Sequence, residues 1–310
     1  MDFLEIGSDD LRIEVSQYGA ALARVWFSDI ATSLVLGLPQ PQDYADAPHA
    51  IGVIVGPIAG RIANAKVVLD GTTFHLDENT PPDCLHSGPA GLQHQIWDVK
   101  EHTIDRLTLE CKLSDGTCGL PGNRVFSAQY VVTGTAITLT LDSTTDADTY
   151  VNATSHAYWV LDTSGSLSAH KMSIAADGFI EAGSDLIPTG RIVPVAATSM
   201  DYSTARCPVL GAPLDNTFCL TSEHALDMFS AASSVRLQVE TNQPGMVLYT
   251  GEHLPEIRGG HDTPIIKPFS AIAIEAQGWP DAPNHAQFPS IELRKGDHLK
   301  QITHFKLSKT

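Results

Sequence analysis

Basic side chains are scarce in this chain. Its 310 residues include 19 Lys and Arg against 36 Asp and Glu, a formal net charge of −17 at pH 7. Phosphate backbones and anionic headgroups need clustered cations, so neither nucleic acid nor membrane is expected among the partners. Long apolar runs are also missing. The longest apolar or glycine-rich stretch, Ala50 to Gly60, falls far short of the ~20 residues that span a bilayer. The first residues, MDFLEIGSDD, place acids where a secretory leader would carry Lys or Arg, and no long apolar stretch follows; a cytoplasmic protein is expected. Cysteine is sparse and unpatterned: Cys84, Cys111, Cys118, Cys207 and Cys219 are odd in number and form no C-x-x-C pair. Neither a disulfide framework nor a zinc knuckle is indicated, and plain thiols are expected.

Signatures of several enzyme classes are absent. There is no G-x-G-x-x-G after a strand, no G-x-x-x-x-G-K-S/T, no H-E-x-x-H and no G-x-S-x-G, so nucleotide, zinc-protease and hydrolase readings lack their motifs. Long stretches of 3.6-residue periodicity are missing as well. The nearest helical candidates, around Gln42 to Ala47 and Ser222 to Phe229, are too short to cover a parallel sheet.

What is present is a period of two. Ile137 to Leu141 and Val235 to Glu240 alternate apolar and polar residues, the pattern of half-buried antiparallel strands. Lys66 to Leu76 reads as a hairpin about Asp70-Gly71, because glycine accepts positive φ. The 24 Gly and 19 Pro are spread along the chain and mark no linker. With 43% hydrophobic residues the composition is globular. Surface scaling predicts about 12,600 Å² for a folded chain of this mass, about three quarters of the extended surface being buried. One all-β domain over residues 1–310 is expected, since sandwiches and barrels run to this length without splitting.

Five segments carry candidate chemistry. Read as a strand, Val151 to Trp159 puts Asn152, Thr154, His156 and Tyr158 on one wholly polar face, which is a solvated sheet surface or the floor of a sugar site. In Ala271 to Gln277, the residues Ile272, Ile274 and Ala276 form a packing face; Ala271, Ala273, Glu275 and Gln277 form the other. Small alanines beside a carboxylate leave a hollow, and desolvation there would tune Glu275 toward use as a base; the alternative is an exposed Glu at a strand end. His86 lies in a glycine-punctuated loop, Cys84 to Gly91, of the kind that carries ligand contacts. Arg61 closes an apolar run and needs a carboxylate, a carbonyl or a ligand as partner. Asp215, beside Asn216, is a candidate contact or simply a turn former.

Taken together, these segments resemble the aldose 1-epimerase (galactose mutarotase) family over about Gly52 to Gly296. Gly56 to Ala63 looks like the family's G-R-x-A-N-R-I-A, and Leu85-His86-Ser87-Gly88 through Trp97 like L-H-G-G followed by Trp. Asn152 to Tyr158 is similar to N-x-T-N-H-x-Y. Leu186 to Gly190, Leu214 to Phe218, Pro244 to Gly251, and Glu275 to Ala282 with Phe288-Pro289 follow in family order. The resemblance implies a large antiparallel β-sandwich with a sugar in an open cleft, and an isomerase of carbohydrate metabolism acting as monomer or homodimer. It implies Glu275 as base on the anomeric hydroxyl and His156 as acid on the ring oxygen, with Arg61, His86, Asp215 and Tyr158 binding the sugar. Such chemistry moves only protons, so no cofactor and no metal is expected. Pro57 stands for the family's first Arg, Gly60 and Ser155 for Asn residues, and Val247 where some members carry Gln. Polar contacts are thinned, which puts the substrate in question more than the reaction: an apolar Val247 is expected to favour pentoses or 6-deoxy sugars. A hexose-phosphate 1-epimerase and a non-catalytic sugar-binding module are the competing readings.

Overall fold

Alternation of period two builds the molecule. The computed structural model describes residues 2–209 and 213–309. An eight-stranded antiparallel sheet runs in the order His170–Ile174, His224–Ser230, Val235–Thr241, His298–Lys309, Ala136–Thr145, Arg124–Thr133, Arg106–Leu113, Asp98–His102. Along Ala136–Thr145 every second residue is buried, so one face of this sheet is core and the other meets water. A six-stranded sheet packs against it, in the order Tyr158–Trp159, Ile272–Gln277, Gly245–Tyr249, Asp215–Leu220, Ala176–Ala182, Pro188–Pro194. Trp159 of this sheet stacks on Phe305 of the larger one, centroids 5.0 Å apart and rings at 26°. One apolar cluster draws on both, including Leu139, Leu237 and Phe305 from one side and Leu248, Ile272 and Ile274 from the other. The fold is therefore the antiparallel β-sandwich that the sequence predicts, with a folded surface of 12,047 Å².

Local expectations meet mixed outcomes. The hairpin at Asp70-Gly71 forms between Lys66–Leu69 and Thr72–His75, with φ of 48° and 78° at the two turn residues, as a type I′ turn requires. Pro41–Asp46 is a short 3₁₀ helix, near the first helical candidate. The second candidate is a strand: His224–Ser230 pairs with its neighbours on both sides, with a bulge between His224 and Leu226. There, Leu226 and Met228 bury with strand spacing, and cross-strand pairing outweighs a weak local helical preference. Val151 to Trp159 is not one continuous strand either. Thr154–Ser155 pairs with Ile54–Val55, Tyr158–Trp159 pairs with Ile272–Gln277, and the chain changes partner between them. Its polar face is not solvated: all nine residues are buried. The Asn152 side chain accepts from Gly278 N–H (2.7 Å) and donates to the Gly278 carbonyl (3.1 Å), and Thr154 donates to the Ala276 carbonyl (2.9 Å). These two residues are structural ties to the neighbouring strand.

Candidate active site

The outer face of the six-stranded sheet floors a cleft of about 440 Å³. Strand alternation turns Ile272, Ile274 and Ala276 toward the sandwich core and leaves Glu275 and Gln277 lining the cleft. Antiparallel register then sets the neighbours: Glu275 lies opposite Val247, which lies opposite Thr217. A second row carries Tyr158, Ala273, Tyr249 and Asp215.

Glu275 and His156 meet at the floor, with Glu275 Oε1 3.5 Å from His156 Nε2. Glu275 is 3% exposed and His156 5%. Burial, with the nearby Asp215 charge, lifts the Glu275 carboxyl well above its ordinary range, while Arg61 opposes the rise. Burial pushes the His156 imidazole down to about 4, against a backbone hydrogen bond that favours its charged form. Each group alone resists charge: burial favours the protonated carboxyl and the neutral imidazole. Nδ1 of His156 is buried without a partner. A proton moving between Nε2 and Oε1 requires the imidazole's other proton to sit on Nδ1.

His86 and Arg61 stand on the wall. Arg61 pairs with Leu85 in a two-residue ladder, and the next residues clasp: His86 N–H donates to the Gly60 carbonyl (3.0 Å) and Gly60 N–H donates to His86 Nδ1 (3.1 Å). An occupied Nδ1 fixes the tautomer, leaving Nε2–H as donor on the far side of the ring. Burial, with His156 and Arg61 nearby, holds this imidazole well below its usual range, hence neutral. Gly60 sits at φ +78°, and a Cβ there would lie 2.9 Å from Pro280 Cβ. Here the wall approaches too closely for the Asn of the family pattern. The Arg61 guanidinium makes no hydrogen bond or ion pair among the described residues, although its field acts on Glu275, Asp215 and His86. Asp215 opens the strand Asp215–Leu220 and lines the cleft; burial raises its carboxyl and Arg61 opposes. Tyr158 is fully buried, its ring 5.1 Å from that of His156. Tyr158 lines the cleft beside His156, with its hydroxyl proton donated to the His49 carbonyl (2.9 Å).

A family model described as Aldose 1-epimerase matches residues 2–306. The chain belongs to the aldose 1-epimerase family. It is 32% identical to the galactose mutarotase of Rattus norvegicus, over 98% of this chain and 93% of the relative. Against the aldose 1-epimerase of Escherichia coli K12 the identity is 29%, over 94% and 91% of the two chains. An aldose epimerase homologue from C. elegans superposes with a TM-score of 0.93 at 29% identity, covering 99% of both chains. A galactose 1-epimerase from Lactobacillus acidophilus gives 0.87 at 25% identity, over 97% and 92%. The activity is that of an aldose 1-epimerase, an isomerase acting on sugar anomers.

Within the epimerase, two of the four departures noted in the sequence lie away from the sugar side. Ser155 faces the sandwich interior, its Oγ buried without a partner in a small void with Leu139, Ile274 and Gln301; alternation turns it opposite to His156. Pro57 does not line the cleft. Gly60 and Val247 do. Other lining groups escaped the sequence reading, among them Thr217, Tyr249, His49 and His253. The first two carry a legible signal only once Val247 and Asp215 are put in register; the two histidines come from loops and carry none. Among the described residues, no group of three or more His, Cys, Asp or Glu could hold a metal ion, and no helix is long and apolar enough to cross a membrane.

Proposed function

We propose that Glu275 is the base and His156 the acid of this aldose 1-epimerase. In the reacting ion-pair form, the Glu275 carboxylate takes the proton of the anomeric hydroxyl while the His156 imidazolium gives its Nε2 proton to the ring oxygen and becomes neutral. The C1–O5 bond breaks and an aldehyde forms. Rotation about C1–C2 and reversal of both transfers close the ring as the other anomer, with the pair again holding one proton. The observation that carries this is the buried 3.5 Å contact between the Glu275 carboxyl and the His156 imidazole on the floor of the cleft. Arg61 and the neutral His86 donate to sugar oxygens, and Asp215 accepts from hydroxyls; their unspent hydrogen-bonding capacity facing one cleft supports the assignment.

A phosphorylated aldose is disfavoured, because Arg61 is the only Lys or Arg among the described lining residues. A binding module without turnover has no use for a desolvated acid–base pair. All five cysteines are buried and free, which supports a reducing, cytoplasmic setting. The shared core of both sheets supports one domain, working in carbohydrate metabolism on a free sugar without nucleic-acid or membrane partners. The test is anomer-exchange NMR on neutral, deoxy and phosphorylated aldoses with the wild type and His156→Asn. Exchange by the wild type and its loss in a folded His156→Asn protein, restored in part by added imidazole, is expected. Full exchange without His156 overturns the assignment.

A further inference from the structure

The floor of the cleft has an order that bears on which sugar it accepts. His156, Glu275, Val247 and Thr217 lie side by side across the sheet: His156 Nε2 is 3.5 Å from Glu275, Val247 is the register partner of Glu275, and Thr217 is that of Val247. Successive strands are about 4.8 Å apart and directly opposed side chains share one face. The ring atoms of an aldose run in the same sequence, from the ring oxygen through C1 with its hydroxyl to C2 with its own. With the ring oxygen at His156 and O1 at Glu275, as the acid–base assignment requires, the C2 side falls over Val247.

Val247 offers a half-buried isopropyl group with no donor or acceptor. Its neighbours on the same face of its own strand do not replace one. Gly245 has no side chain, and the Tyr249 hydroxyl, which accepts from His253 N–H at 2.8 Å, belongs to the next row, opposite Asp215. A C2 hydroxyl pressed onto Val247 gives up water and gains no partner from it, whereas a C2 methylene loses nothing there. We propose that Val247 determines specificity at C2, and that this enzyme accepts 2-deoxyaldoses at least as well as their 2-hydroxy parents. This inference rests on the roles of Glu275 and His156. It also moves the relaxed position from C6, the expectation from the sequence, to C2, because register places Val247 on the side of Glu275 away from His156.

The experiment is anomer-exchange NMR on D-glucose, 2-deoxy-D-glucose and 6-deoxy-D-glucose. Each kcat/KM is divided by the uncatalysed exchange rate of that sugar, for the wild type, Val247→Gln and the near-isosteric Val247→Thr. The expected wild-type ratio of 2-deoxyglucose to glucose is one or more. A hydrogen-bonding side chain at this position should lower it roughly 2- to 10-fold, with the 6-deoxy ratio unmoved. If Val247→Gln does not fold, Val247→Thr decides in the same direction with a smaller drop. A wild type that prefers glucose over 2-deoxyglucose tenfold, a ratio unchanged in both folded variants, or a change in the 6-deoxy ratio instead would each overturn the proposal. Those results leave catalysis intact and are distinct from failure of the acid–base reading, which would appear as exchange that survives loss of Glu275 or His156.

Discussion

Replacing Glu275 by Gln separates what the carboxylate does for catalysis from what it does to stability. The side chain is 3% exposed, and its ion-pair contact is His156 at 3.5 Å. Gln keeps the shape and one acceptor but cannot take a proton, so turnover should fall by at least about 10²-fold. Stability should move the other way. Burial raises the native pKa of this carboxyl above its unfolded value, so folding takes up a proton. The favourable contribution is complete below the ordinary carboxylate range and is lost as pH rises toward the native value. Within that window each pH unit removes up to about 1.4 kcal/mol from the wild type, a loss that the neutral Gln does not suffer. For a chain of this size each kcal/mol corresponds to about 2 °C in Tm. The variant should therefore gain on the wild type as pH is raised from 5 to 8, by a few degrees. The assays are optical rotation of freshly dissolved sugar and thermal melts at several pH values. A folded Glu275→Gln protein with near-normal anomerisation would refute the role of base. A stability difference that stays flat with pH would refute the claim that Glu275 is buried at an energetic cost.

Other outcomes follow from the same geometry. The pH profile of kcat/KM should be a broad bell: activity is lost toward acid as His156 takes a second proton near its lowered value of about 4, and toward base as the pair gives up its proton from the raised Glu275 side. A single limb within the range where the fold is intact would contradict a two-group mechanism. Gly60→Ala forces a Cβ into a left-handed site 2.9 Å from Pro280 Cβ and should cost about 1–3 kcal/mol in denaturant melts. Because the Gly60–His86 clasp holds the wall, KM should rise more than kcat falls; an unchanged melt and an unchanged KM would show that the wall is slack. Exhaustive chelation with EDTA should leave the rate unaltered, since the step moves only protons; activity lost and then restored by a divalent ion would contradict the scheme.

The sequence by itself determined what depends on neighbours along the chain. Alternation assigned Ile272, Ile274 and Ala276 to the core and Glu275 to the opposite face, and the Asp70-Gly71 turn followed from the conformational freedom of glycine. Residue chemistry and motif order picked out Glu275, His156, Arg61, His86, Asp215 and Tyr158, and all six line one cleft. The tertiary structure decided what depends on residues far apart in sequence. Most of Ser222 to Phe229, from His224 on, became a strand because partners on both sides supplied a ladder that its local pattern does not reveal. Ser155 turned inward, the Tyr158 hydroxyl went to His49, and Val247 came to rest beside Glu275, each by packing or register with a distant segment. The pairing of Glu275 with His156 is of this second kind. Two ordinary titratable side chains become a coupled pair only when folding strips water from both and sets them 3.5 Å apart.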